Sequence, residues 1–166
     1  MSTEENLKSA YTGESQANRK YASFSEQAES EGFKNVAKLY RAASEAEAIH
    51  ARRLLRVMGA IGPTAENLKK SVDGETYEYT SMYPDFIKAA EGEKKSEAVT
   101  AFTYAMKAEE VHAGLYKKSL DAIQSKRDLN VSKIYVCSIC GNIVFNEPPE
   151  KCPICSAFKK KFQEVL

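Results

Sequence analysis

Through the first three quarters of the chain, apolar residues recur at spacings of three and four. They lie within long segments rich in Ala, Glu, Lys and Leu. That period belongs to amphipathic helices, and it predicts four of them, over residues 3–31, 34–59, 65–91 and 94–124. Ser2 followed by Glu5 reads as a capping box opening the first helix. Pro84 is expected to kink the third, because its ring removes a backbone donor and crowds the preceding turn. The helical period ends near residue 125. QSKRDLNVSK is a polar connector, and from Ile134 the texture changes to β-branched and aromatic residues, prolines and all four cysteines. The pattern therefore predicts a helical domain over 1–125, a linker over 126–133 and a small metal-stapled domain over 134–166.

The helical part repeats itself. ENLKSAYTGES begins at Glu5 and ENLKKSVDGET at Glu66, an offset of 61. With one extra residue the match resumes, pairing Ala43 with Ala105, Glu47 with Glu109, His50 with His112 and Ala51 with Ala113. Each copy is a helix pair, and two pairs make a four-helix bundle, with a longer connection across the middle near Gly59–Pro63.

The repeat also organises the chemistry. The chain has two histidines, and each lies three residues after a glutamate, on the same helix face. One such pair alone is ordinarily a solvated surface pair; here the spacing uses every histidine. Gly-Glu adds Glu14 from the first copy and Glu75 from the second. A pseudo-two-fold axis would bring Glu14, Glu47, His50, Glu75, Glu109 and His112 together, the ligand pattern of di-metal carboxylate bundles. Burying four unpaired carboxylates would cost several kcal/mol each, a cost that two divalent cations remove. Oxygen-rich ligation with two imidazoles suits iron or manganese. Glu78, three residues after Glu75, has Ala17 as its counterpart, so a fifth glutamate stands on one side only.

Composition narrows the function classes. Apolar residues make up 43% and charged residues 28% of a near-neutral chain, which argues against nucleic-acid or membrane-surface binding. No apolar run is long enough to span a bilayer, and the start carries no signal pattern. A cytoplasmic protein with reduced thiols is expected. Cys137-x-x-Cys140 and Cys152-x-x-Cys155 then form a four-thiolate metal site, which suits iron or zinc equally. Tyr135, Phe145, Phe158 and Phe162 are expected to pack the small domain's core.

The ordered set GES, EAIH, GETYEY…MYPDF, EEVH, YVCSICG and CPIC resembles rubrerythrin over essentially the whole chain. The resemblance implies a mainly α fold: a ferritin-like four-helix bundle followed by a small rubredoxin-like four-cysteine metal domain. It implies two irons in the carboxylate site, bridged by Glu47 and Glu109. Glu14 would be terminal on the first iron, and Glu75 with His112 on the second. His50 and Glu78 would alternate on the first iron as it changes oxidation state. Tyr21 and Tyr83 would hydrogen-bond the ligand glutamates, though an ordinary core tyrosine is the alternative for each. A third iron, or zinc, would occupy the cysteines. The implied activity is reduction of hydrogen peroxide in oxidative-stress defence, with electrons passed through the four-cysteine iron from an NAD(P)H-dependent reductase or a rubredoxin.

Two rivals make different demands. A ferritin-like ferroxidase or iron-storage protein needs no dedicated electron inlet. A zinc-ribbon binding module leaves the five glutamates and two histidines unexplained. A homodimer or higher homo-oligomer is expected, arranged so that one chain's four-cysteine iron comes near its partner's di-iron site.

Overall fold

The computed structural model describes residues 2–166, which divide into two compact units, the first ending at Gly62 and the second spanning Pro63–Leu166. The first unit is a helical hairpin of α1 (Thr3–Ser30) and α2 (Lys34–Val57). The capping box forms as expected: Ser2 Oγ accepts from the Glu5 amide at 3.2 Å, and Glu5 Oε2 accepts from the Ser2 amide at 2.6 Å. Small residues let the two helices approach closely. Asn18 Nδ2 donates to the Ser44 carbonyl at 2.7 Å, Ser44 Oγ donates to the Asn18 carbonyl at 2.9 Å, and Ser25 Oγ donates to the Ala37 carbonyl at 3.0 Å. The buried polar groups are thus paired, as burial requires.

In the second unit, α3 (Thr64–Tyr77), α4 (Tyr83–Gly92) and α5 (Ser96–Gln124) form the second helix pair. The third predicted helix is split: between α3 and α4 the chain makes a π-helical turn over Glu78–Met82, just ahead of Pro84. The Tyr83 amide donates to the Glu78 carbonyl, five residues back. Between α2 and α3 the connector runs over residues 58–63, longer than the turns over 31–33 and 93–95 within the hairpins, at the place where the sequence suggested the longer connection.

The cysteine domain is a three-stranded antiparallel sheet of β1 (Ile134–Cys137), β2 (Ile143–Phe145) and β3 (Phe162–Glu164), in the order β2-β1-β3. Cys137, Cys152 and Phe162 form its core, with Tyr135, Val144 and Ile154 packed around them. The expectation for Phe158 is corrected. It is 61% exposed, with Lys151 Nζ 5.5 Å above its ring, so its apolar face is covered by a cation rather than a core. Phe145 likewise takes Lys118 Nζ of α5 at 5.7 Å.

Two knuckles of matching form carry the thiols. The Gly141 amide donates to the Cys137 carbonyl and the Ser156 amide to the Cys152 carbonyl, both at 2.9 Å. Gly141 and Ser156 both have left-handed backbones, φ +78° and +60°. A Cβ at Gly141 would meet nothing within 4 Å, so only the backbone opposes a side chain there. Gly141→Ala is expected to cost about 1–2 kcal/mol, read as a lower urea midpoint of the metal-loaded protein.

Candidate metal centres

The structure brings the sequence-marked residues into three clusters. Glu14 of α1 meets Glu47 and His50 of α2; Glu75 of α3 meets Glu109 and His112 of α5; and the four cysteines converge. Within each cluster the potential ligand atoms lie within 4.8 Å of one another. His50 Nδ1 stands 2.9 Å from Glu47 Oε2 and 3.8 Å from Glu14 Oε1. His112 Nδ1 stands 2.7 Å from Glu109 Oε2. The first trio is the more open, its histidine side chain 56% exposed against 15% for His112.

The charges are poorly compensated by protein alone. In the first trio, the hydrogen bond with Glu47 pushes Glu14 up, aided by desolvation, while the same bond and His50 pull Glu47 down. In the second trio, burial, then the hydrogen bond and charge of Glu109, push Glu75 up to about 8. Burial and the Glu109 charge also push Glu78 up. Glu75 thus keeps its proton at neutral pH where no cation is present. Divalent metal would displace that proton and cancel the charge.

Gly141 supplies a feature that ligand spacing does not reveal. Its carbonyl lies 2.9 Å from His112 Nε2. A carbonyl only accepts, so Nε2 is the donor, and Nδ1, facing the glutamates, is the nitrogen left for a metal. This is the outer-sphere bond that orients a ligating histidine. It ties the first cysteine knuckle to the carboxylate cluster within one chain.

The π-turn locates the extra residue of the repeat. Glu14 and Glu75 are 61 apart, but Tyr21 and Tyr83 are 62 apart, as are Phe24 and Phe86 and the ring positions Tyr40 and Phe102. The two aromatic clusters correspond: Tyr21, Phe24 and Tyr40 in one hairpin, and Tyr83, Phe86 and Phe102 in the other, with centroids 5.6–6.3 Å apart. The insertion therefore falls between Glu75 and Tyr83, where the helix widens. Glu78, the glutamate without a counterpart, opens that turn, close enough for the charges of Glu109 and His112 to act on it.

The two tyrosines behave differently. Burial, then the charges of Glu109, Glu78 and Glu75, push Tyr83 up, so it belongs to the second cluster's surroundings. Tyr21 is placed by its ring contacts. Among the described residues neither hydroxyl bonds a ligand glutamate. Tyr116 was not singled out from the sequence, yet burial and the charges of Glu75 and Glu109 push it up too. Its position four residues after His112, on the same face of α5, was the available signal.

The cysteine quartet fits a tetrahedral ion. Cys137 Sγ and Cys155 Sγ are 3.7 Å apart, and Cys140 Sγ and Cys152 Sγ 3.5 Å. A tetrahedron with metal–sulfur bonds near 2.3 Å has edges of about 3.8 Å. All four thiols are free rather than disulfide-bonded. Burial pushes the Cys140 thiol up. At Cys152 burial also opposes the thiolate, but the amides of Cys155 and Ile154 outweigh it and bring the group down to about 7. Asn142, fully buried, aims Nδ2 at the same sulfur from 3.8 Å.

Residues 5–120 match the family model described as Rubrerythrin, and residues 135–163 the one described as Rubrerythrin, rubredoxin-like domain. The chain is 36% identical to Rubrerythrin-2 of Clostridium acetobutylicum over 171 residues, covering 95% of this chain and 93% of that protein. It is 38% identical to Nigerythrin of Nitratidesulfovibrio vulgaris over 175 residues, covering 97% and 85%. Solved nigerythrin structures in mixed-valence, partially reduced and fully reduced, all-ferrous states each align with a TM-score of 0.57 at 36% identity, covering 99% of this chain and 87% of theirs.

The raised Glu75 value has a measurable consequence in metal-free protein. Folded chains keep the Glu75 proton up to about pH 8, and unfolded chains lose it near the ordinary value of 4.5. The folded state therefore binds more protons between those values, and its stability falls as pH rises across that window. The urea midpoint of chelator-treated protein is expected to drop over this range, and Glu75→Gln to flatten the drop. An undiminished slope in the variant would assign the proton elsewhere.

Proposed function

The chain belongs to the rubrerythrin family, and from that premise we propose that it is a non-haem di-iron peroxidase that reduces hydrogen peroxide to water. The reaction consumes H2O2, two electrons and two protons and yields two waters. Glu14, Glu47, His50, Glu75, Glu109 and His112 hold the two irons, with Glu78 as a further carboxylate ligand. Cys137, Cys140, Cys152 and Cys155 hold a third iron. When bound, the iron pair would supply two-electron reducing chemistry, and the iron held by the cysteines would supply one-electron transfer.

The chain's own residues contribute orientation and protons. Tyr83 and Tyr116 are held in the phenol form by burial and by the glutamate charges, so their hydroxyls are donors for an oxygen anion nearby. His112 is fixed by Gly141 through Nε2 and presents Nδ1. Glu78 on the widened turn is the one carboxylate that the repeat does not duplicate, so it can make one metal position unlike the other.

The observation that favours an electron-fed peroxidase over iron storage is the His112–Gly141 hydrogen bond. It joins a residue beside Cys140 to a residue of the carboxylate cluster, a contact that storage does not require. The electron donor is an NAD(P)H-dependent reductase or a rubredoxin. Thiolates kept free suit a reducing, cytoplasmic setting, and no helix among the described residues is long and apolar enough to cross a membrane.

Metal content and the optical spectrum of anaerobically purified protein test the assignment. Three irons per chain, and a ferric-thiolate band bleached by reductant and restored by one equivalent of peroxide, are expected. Two irons and one zinc would remove the electron relay and favour the oxidase or storage reading. Glu78→Ala is expected to keep both carboxylate irons while steady-state peroxide turnover falls by about 10- to 100-fold. Unchanged turnover would remove Glu78 from the mechanism.

A further inference from the structure

The two cysteine knuckles repeat each other residue by residue, and the repeat is broken at one polar side chain. Cys137 corresponds to Cys152, Cys140 to Cys155, Gly141 to Ser156 and Asn142 to Ala157. The Cys137 amide donates to the Asn142 carbonyl and the Cys152 amide to the Ala157 carbonyl, both at 2.8 Å. The Asn142 amide donates to the Cys140 sulfur, and the Ala157 amide to the Cys155 sulfur. These bonds belong to the backbone and come with the knuckle whatever its side chains are. At Asn142 the equivalence stops. Ala157 offers a methyl group, whereas Asn142 offers a carboxamide that crosses to the other knuckle, its Nδ2 3.8 Å from Cys152 Sγ.

Burial gives that contact weight. Asn142 is 1% exposed, and with Cys137 and Cys152 it ranks as the largest of the fully buried side chains among the described residues. A buried primary amide costs free energy unless it is hydrogen-bonded, and the Cys152 sulfur is the partner of its nitrogen. A metal-bound thiolate only accepts, so the amide must present its nitrogen rather than its oxygen. The same sulfur receives the backbone amides of Ile154 and Cys155 from its own knuckle, and Asn142 adds a side-chain donor from across the site. The preceding residue, Gly141, takes the His112 bond, so consecutive residues serve the carboxylate cluster and the thiolates.

A donor on a ligating sulfur acts on redox equilibrium. Four thiolates around ferric iron carry one net negative charge, and around ferrous iron two. The added charge spreads onto the sulfurs, and hydrogen bonds there favour the reduced form. Away from water such a bond is stronger than in solution. We propose that Asn142 sets the reduction potential of the cysteine-held iron, by donating from Nδ2 to the Cys152 thiolate and stabilising the ferrous form. The inference rests on the iron reading above. Asn142 does not touch the iron; it acts through the sulfur. The step it governs moves one electron from the external donor to ferric iron, with no bond made or broken and no proton taken up. A higher potential favours entry of that electron and reduces the drive for its onward transfer by the same amount.

Potentiometry of the full-length, iron-loaded protein tests this, followed in the visible ferric-thiolate band. Asn142→Leu removes the donor while nearly conserving volume and keeping water out. It is expected to lower the equilibrium constant for reduction of this iron about tenfold, a shift of about 59 mV to lower potential for one electron. The sign separates this role from a merely structural one. A loosened site admits water to the sulfurs, and water is itself a donor, so the potential would rise. An unchanged or raised potential in the variant would overturn the assignment. Absence of the ferric-thiolate band from the unsubstituted protein would instead overturn the iron reading. A second measurement needs no substitution. Full-length protein is loaded with NMR-active cadmium at the cysteines, where a hydrogen bond to a metal-bound sulfur transmits scalar coupling from the metal to the donor proton. Coupling is expected at the backbone amides of Asn142 and Ala157 and at an Asn142 Nδ2 proton. Coupling confined to backbone amides would overturn the proposal whether or not the variant folds.

Discussion

Glutamates that face one another inside helix pairs set the terms for the rest of the molecule. Burial, with the hydrogen bond and charge of Glu109, pushes Glu75 up to about 8, and the hydrogen bond with Glu47 pushes Glu14 up as well. So much negative charge gathered at close range is unfavourable unless cations join it. Stability is thereby linked to metal: the same ions that supply redox chemistry offset the charge that the fold concentrates.

The cysteine domain solves a related problem on a smaller scale. A three-stranded sheet around Cys137, Cys152 and Phe162 has little apolar surface to bury, too little to specify a fold without a staple. Four thiols at tetrahedral spacing provide one. The contacts to α5, through Gly141 to His112 and Phe145 to Lys118, place that staple against the carboxylate cluster.

Much of this was legible from residue spacing, because metal ligation demands particular side chains at particular helical intervals. Glu47 with His50, Glu109 with His112, and the two Cys-x-x-Cys pairs converge as their spacings imply. The capping box at Ser2 follows from local hydrogen bonding alone. What spacing did not reveal depends on contacts far apart in sequence or on backbone shape. Tyr116 and the Gly141 carbonyl matter through a tertiary neighbour. Phe158 looked like core by residue type, but so small a domain has no second layer to cover it. Pro84 signalled a disturbance in the third helix without showing that it takes the form of a widened turn.

That turn shows how a near-symmetric sequence acquires an asymmetric site. A duplicated hairpin with strictly matched residues would give two equivalent metal positions. One added residue within the third helix breaks the match. The helix absorbs it as a π-turn rather than shifting its ends, so the aromatic cluster of Tyr83, Phe86 and Phe102 keeps the form of its counterpart. The displaced backbone carries Glu78 at its start, beside Glu109 and His112. A substitution of Ala17 by glutamate would add the carboxylate to the first copy but not the turn. The difference between the two halves therefore lies in backbone path as much as in side-chain chemistry, and such a path cannot be restored or abolished by exchanging a single ligand.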